Sequence, residues 1–131
     1  MASFTDGSRK SFYPQVSGGV PIDYSGKQWY IFKVVGTNTV DLASSAADQF
    51  IGTLNNIERK GQELEIFLRN GAGTHKVILG ATVTINAYLT SNASGAAITA
   101  STGNQVLGQA MSAGNTGDII EYMPMTIQKL Q

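Results

Sequence analysis

The stretch Leu42–Ile66, LASSAADQFIGTLNNIERKGQELEI, is echoed without a gap by Ile98–Tyr122, ITASTGNQVLGQAMSAGNTGDIIEY, at an offset of 56. Five positions are identical: Ser45/Ser101, Gln49/Gln105, Gly52/Gly108, Gly61/Gly117 and Glu65/Glu121. Between them apolar residues stay apolar, as in Phe50-Ile51 against Val106-Leu107. The alternation also agrees in phase. Leu64 and Ile66, like Ile120 and Tyr122, fall on one face of a strand, with Glu65 and Glu121 on the other. The echo predicts one β unit used twice. A glycine held at 52 and 108, and at 61 and 117, predicts a backbone requirement rather than a reactive group. Two copies are too few for a solenoid, so the halves are expected to close on each other as one domain.

Working outward, Trp29–Val35 is a β-branched and aromatic run stopped by Gly36-Thr37-Asn38. Gln49–Leu54 reads as a strand interrupted by Gly52, where a bulge or a close backbone approach is expected. Asn70-Gly71 is a hairpin signal after the alternating strand Glu63–Arg69. Pro124 suits an edge or a bulge in the closing strand. No amphipathic helix stands out. The pattern predicts an all-β fold, a small barrel or sandwich built from an internal duplication, over residues 28–131.

Residues 1–27 differ. They hold two of the three prolines and scattered apolar residues without helical or strand period. They read as an extended N-terminal arm with no counterpart in the second copy. Its large side chains either tuck onto the domain's own core or order against a neighbouring subunit.

The bulk numbers exclude several classes. The 131 residues carry nine basic and nine acidic side chains, only 14% charged in all. A basic footprint for nucleic acid is missing. Without cysteine, neither disulfides nor thiolate chemistry contributes. No apolar run approaches the roughly 18 residues of a membrane span or forms a signal peptide, so a soluble protein made in a cytoplasm is expected. Asn92-Ala93-Ser94 matches a glycosylation acceptor but is moot without a secretory signal.

Chemistry is sparse. The one histidine, His75, sits beside a turn and reads as exposed surface, since a base needs a placed nucleophile and orienter. A zinc site lacks a second histidine and any cysteine. Gly71–Lys76 lacks the spacing of a phosphate loop and leads into a strand. Trp29 could serve as a stacking platform, but core packing is its simpler role. No enzyme activity, metal or cofactor is expected.

From Val40 to Met125 the chain resembles the capsid cement, or head decoration, proteins of tailed bacteriophages. The residues that carry the resemblance are Val40–Ala43, Gln49–Gly52, Lys76–Val83, Leu89–Gly95, Val106–Ala110 and Gly117–Glu121. The resemblance implies a non-enzymatic protein on the outer surface of a phage head. Its partners would be the major capsid protein and itself, typically as a homotrimer, with no nucleic acid and no membrane. Interface candidates are the large apolar residues of the arm and first strand: Phe4, Phe12, Tyr13, Pro14, Val16, Val20, Ile22, Tyr24 and Trp29. A second reading is a virion-surface adhesin or carbohydrate-binding module using Trp29 or the loops at 70–75 and 91–95. A third is a small hydrolase using His75.

Overall fold

The computed structural model of the chain describes residues 9–55, 63–69, 73–125 and 130. The described residues form twelve strands. They are β1 (Arg9–Pro14), β2 (Val16–Ser17), β3 (Val20–Pro21), β4 (Ile31–Gly36), β5 (Thr39–Leu42) and β6 (Phe50–Leu54). Then come β7 (Leu64–Leu68), β8 (His75–Ile78), β9 (Tyr88–Ser91), β10 (Ala97–Thr99), β11 (Gly108–Ala110) and β12 (Ile119–Pro124). The expected all-β barrel is present. One unit is a closed barrel in the order β1-β5-β4-β6-β7, and the other is an open five-stranded sheet in the order β10-β9-β11-β12-β8.

The two units are the two copies of the echo. Strands β6 and β7 pair as Gly52↔Leu68, Thr53↔Phe67 and Leu54↔Ile66. Strands β11 and β12 pair as Gly108↔Pro124, Gln109↔Met123 and Ala110↔Tyr122, each pair displaced by 56 (108 − 52). Upstream the register changes by one. Phe32↔Leu42, Lys33↔Asp41 and Val34↔Val40 correspond to Leu89↔Thr99, Thr90↔Ile98 and Ser91↔Ala97, at an offset of 57 (99 − 42). The counterpart of Leu42 is therefore Thr99, not Ile98 as the ungapped echo has it. The extra residue lies in the loop that follows. In the first unit the Ser44 amide donates to Asp48 across four residues at 2.9 Å. In the second the Ser101 amide donates to Asn104 across three at 2.8 Å. The same side-chain bond closes a shorter loop.

The segment 1–27 departs from the expectation of an arm over its described part. Strand β1 is antiparallel to β7 through Lys10↔Ile66 and Phe12↔Leu64, and parallel to β5 through Pro14↔Val40. It has a counterpart after all. Strand β8 pairs with β12 as His75↔Tyr122 and Val77↔Ile120, and Leu79 bridges Ala97 in parallel. These pairs match those of β1 at an offset of 65 (75 − 10). Such pairings join residues far apart in sequence, and no local period announces them. The boundary expected between residues 27 and 28 does not separate β1 from the barrel it completes.

Six equivalent positions line the inside of each unit. Phe12, Phe32, Val40, Leu54, Leu64 and Ile66 fill the closed barrel, with Tyr24 packed among them. Their counterparts Val77, Leu89, Ala97, Ala110, Ile120 and Tyr122 belong to a second cluster. That cluster also contains Ile31, Ala43 and Phe50 from the first unit. The barrel's outer wall thus packs against the inner face of the open sheet. A sheet filled by a neighbour does not have to close on itself to bury its apolar face. Cross-links follow the same seam. Ile31 donates to the Gly95 carbonyl at 2.8 Å and Ile78 to the Trp29 carbonyl at 3.0 Å. Arg69 donates to the carbonyls of Phe50 at 3.3 Å and Met125 at 3.1 Å.

Candidate interaction surface

The structure divides the expected interface residues into three groups. Phe12, Pro14 and Tyr24 are buried. The Tyr24 ring meets Phe32 edge-on at a centroid distance of 5.1 Å, and its hydroxyl donates to Asp41. These residues are corrected from partner anchors to barrel core. The reason is the alternation of β1: Phe12 and Pro14 face inward, and Tyr13 faces outward. Ile22 packs half-buried against the same core. Phe4 and Gly61 lie outside the described residues.

Tyr13, Val16 and Val20 form the second group, exposed by 57%, 52% and 46%. They follow one another along the chain as it leaves β1. The Tyr13 amide donates to the Asn38 carbonyl at 2.7 Å, so Tyr13 lies beside the β4–β5 turn. Val16 and Val20 stand on the short hairpin β2–β3, which starts from Gln15 on the same edge. Val34 and Val35, at the far end of β4, are exposed too. In the sequence both valines read as ordinary residues of the Trp29–Val35 strand. The available signal was the unbroken Ile31-Phe32-Lys33-Val34-Val35 run, apolar at more positions than one buried face needs.

Trp29 is a third case. It has a φ of 73°, in the left-handed region that side chains rarely occupy. Its amide donates to Leu54 at 2.8 Å and its carbonyl accepts from Ile78, so its backbone joins the two units. The half-buried indole lies parallel to Phe67 at 6.4 Å, and the Lys76 ammonium sits 5.7 Å from its centroid. The ring is engaged within the molecule and does not offer an open stacking platform. The 91–95 loop is held in place as well. Asn92 Oδ1 accepts from the amides of Ser94 and Ala96, and a Cβ on Gly95 would stand 2.8 Å from the Leu42 side chain. Of the 70–75 loop, residues 70–72 lie outside the described residues.

Two of the echoed glycines occupy equivalent tight spots. A Cβ on Gly52 would lie 1.7 Å from the Phe67 carbonyl oxygen, and one on Gly108 would lie 2.3 Å from that of Met123. Phe67 and Met123 are themselves counterparts. The β4–β6 register slips between Phe32 and Lys33, opposite Gly52 and Phe50, so a bulge and a close approach coincide. Gly117 is a turn residue with a φ of 89° and open space around it.

His75 is corrected from exposed turn residue to core residue, only 5% exposed. It opens β8 opposite Tyr122, with its side chain on the inner face. Its ring stacks on Phe67 at 4.6 Å and meets Tyr122 edge-on at 6.0 Å. Nε2 is buried without a hydrogen-bond partner among the described residues. Burial lowers its pKa, and the backbone of Leu68 and Thr74 opposes this only in part. The linkage sign follows. The unfolded chain binds a proton below the ordinary histidine pKa of about 6.5, while the folded chain resists until lower pH. Stability is therefore expected to be full above pH 6.5 and to decline as pH falls toward the folded pKa. This is the chain's single histidine, so His75→Phe isolates the effect. Thermal melts from pH 7.5 to 5.5 should show a falling Tm for the wild type and a flatter profile for the variant. Parallel profiles would contradict this account.

Elsewhere the ionisable groups stabilise structure. Burial works against charge on Asp48, but the Ser44 amide and the Lys33 ammonium at 3.2 Å outweigh it and lower its pKa. Complete burial pushes the Tyr122 hydroxyl well above the ordinary phenol range; it lies 3.4 Å from the Thr53 hydroxyl. Among the described residues, no three acidic, histidine or cysteine side chains are grouped to hold a metal ion. Among the described residues, too, no helix is long and apolar enough to cross a membrane.

No family model and no curated protein matches the chain. Among solved structures, the chain is similar to the N base of the head fiber gp8.5 of bacteriophage phi29. The TM-score is 0.63 over 94% of this chain and 98% of that one, with 16% of residues identical. At that identity the likeness is one of fold. It spans both units of this chain.

Proposed function

We propose that this chain is a structural protein of a tailed-phage head. In this reading it binds the outer surface of the shell as a non-enzymatic decoration or cement protein. The observation that carries the proposal is a fold likeness, over nearly all of both chains, to a protein described as the base of a phage head fiber. The Val40–Met125 resemblance to head decoration proteins supports it independently. Net charge of zero and a low charged fraction suit contact with protein better than contact with phosphate. The partners would be the major capsid protein and further copies of the chain, arranged as a trimer. A symmetric trimer multiplies a modest single-subunit contact through effective concentration. Bridging neighbouring capsid subunits stabilises the assembled shell by linkage.

In this proposal the shell contacts the surface that carries Tyr13, Val16, Val20, Val34 and Val35. The test is co-sedimentation with purified heads lacking the protein. Loss of a well-placed aromatic anchor costs about 2 kcal/mol, roughly thirtyfold in affinity. Tyr13→Ala combined with Val20→Asp should therefore bind heads at least tenfold more weakly while melting like the wild type. Unchanged saturation of heads by a folded variant would reject this surface.

A further inference from the structure

The outer face of the open sheet carries more apolar surface than a solvent-facing sheet requires. On β12, Ile119 and Met123 point outward, while Ile120 and Tyr122 point inward. Of the three outward positions on the strand only Glu121 is polar, more apolar surface than a strand with one solvated face needs. Tyr88, Gln109 and Met123 stand side by side across β9, β11 and β12. Met111 lies on the next row, its amide bonded to the Glu121 carbonyl at 3.0 Å. Tyr88, Met111, Ile119 and Met123 are all exposed.

The duplication shows what this face does in the other unit. The counterparts of Tyr88, Gln109 and Met123 are Ile31, Thr53 and Phe67. Ile31 and Thr53 are fully buried, and Phe67 is half-buried. Ile31 lies in the cluster with the second unit's inner face, and Thr53 reaches Tyr122. In the first copy, then, this face of the repeat binds another copy of the repeat. In the second copy Tyr88 and Met123 on the same face are exposed. Its charges are also balanced. Lys76 and Glu121 are direct cross-strand neighbours, and both are exposed. A face that carries both signs can set each charge against the opposite charge of a neighbour placed head to tail, as a cyclic trimer requires.

We infer that the outer face of β11, β12 and β8, centred on Met123 with Tyr88, Met111 and Ile119, is the contact between copies of this chain. The inner face of the partner's sheet is already covered by its own barrel, so the contact joins outer surfaces. This inference gives a location to the self-association in the functional reading, and it is tested apart from head binding.

The experiment is light-scattering mass of the full chain at concentrations on the order of 10–100 µM, the range of a weak to moderate self-contact. The wild type should be heavier than a monomer. Met123→Lys should shift it to monomer at every concentration, with an unchanged Tm. Met111→Lys, on the neighbouring strand, is the second variant in case the first melts early. The Tyr13→Ala, Val20→Asp protein should keep the wild-type mass. A monomeric wild type at the highest concentration would overturn the inference. So would wild-type mass in whichever lysine variant keeps the wild-type melt. Co-sedimentation with heads separates the two readings. Heads that bind neither wild type nor variant would count against the capsid role and leave the mass result standing.

Discussion

A chain lacking residues 2–24 is expected to lose its native fold, not merely a binding segment. The deletion removes β1, which pairs with β7 on one side and β5 on the other. Without it the barrel opens and exposes two strand edges, the arrangement most prone to mispairing and aggregation. It also removes Phe12 and Tyr24 from a core of which they are buried members. Phe12→Ala alone should cost about 3–5 kcal/mol, the usual penalty for emptying a buried phenylalanine site. That is a large share of the roughly 5–15 kcal/mol that holds a domain of ordinary size together. Far-UV circular dichroism and thermal melting provide the readout. A truncated protein that melts cooperatively near the wild-type Tm would show that β1 is dispensable to the barrel. The consequence for function is practical. Head-binding loss in such a deletion would report unfolding, so the exposed surface has to be probed with point substitutions that leave Phe12 and Tyr24 in place.

Gly52→Ala is expected to be as damaging as the loss of a core aromatic. The added carbon would stand 1.7 Å from the Phe67 carbonyl oxygen and 2.8 Å from its carbonyl carbon. Both atoms belong to the backbone of β7, which is itself pinned to β1. No flexible side chain can move aside. The φ of 153° adds a conformational cost for any L side chain. Together these should remove about 3–5 kcal/mol, the upper range for a single substitution. Gly108→Ala should fall in the same direction with a smaller effect, because the equivalent distance is 2.3 Å and φ is not positive. Gly117→Ala is the control. It has open space around it and carries only a left-handed φ, worth roughly 1–2 kcal/mol. The order of Tm values should be Gly117→Ala above Gly108→Ala above Gly52→Ala. A Gly52→Ala protein as stable as the Gly117→Ala protein would refute the close-approach explanation.

Much of the architecture was legible because it is local. The alternation of Leu64 and Ile66 with Glu65 reflects the two-residue period of a strand, and it survives in Ile120, Tyr122 and Glu121. Gly52 and Gly108 were legible as backbone positions because the same residue recurs where nothing reactive does. The one-residue slip between copies was not legible, since an ungapped match absorbs it in a loop of small residues. His75 was misread for a related reason. A histidine next to a glycine-rich turn has the sequence context of surface, but the turn ends before it, and β8 starts with its ring pointing inward.

The candidate surface was half legible. Tyr13, Val16 and Val20 stand out as large apolar residues in a polar segment, and they are exposed. Phe12, Pro14 and Tyr24 look the same on paper, yet they are core. Nothing within residues 9–24 distinguishes the two sets. The distinction comes from which neighbours arrive, namely β5 and β7, separated from β1 by tens of residues.

The sequence by itself determined an all-β chain built twice from one unit, with glycines at its tightest backbone contacts and little reactive chemistry. These follow from period, repetition and composition, which are properties of short windows. Only the tertiary structure decided that β1 completes a barrel and that the first unit closes while the second stays open around it. It also decided which of two equivalent faces is left free. Those outcomes depend on pairings between distant segments and on one unit covering the other's inner face. Two copies of nearly the same pattern cannot occupy the same place, so packing made them unequal.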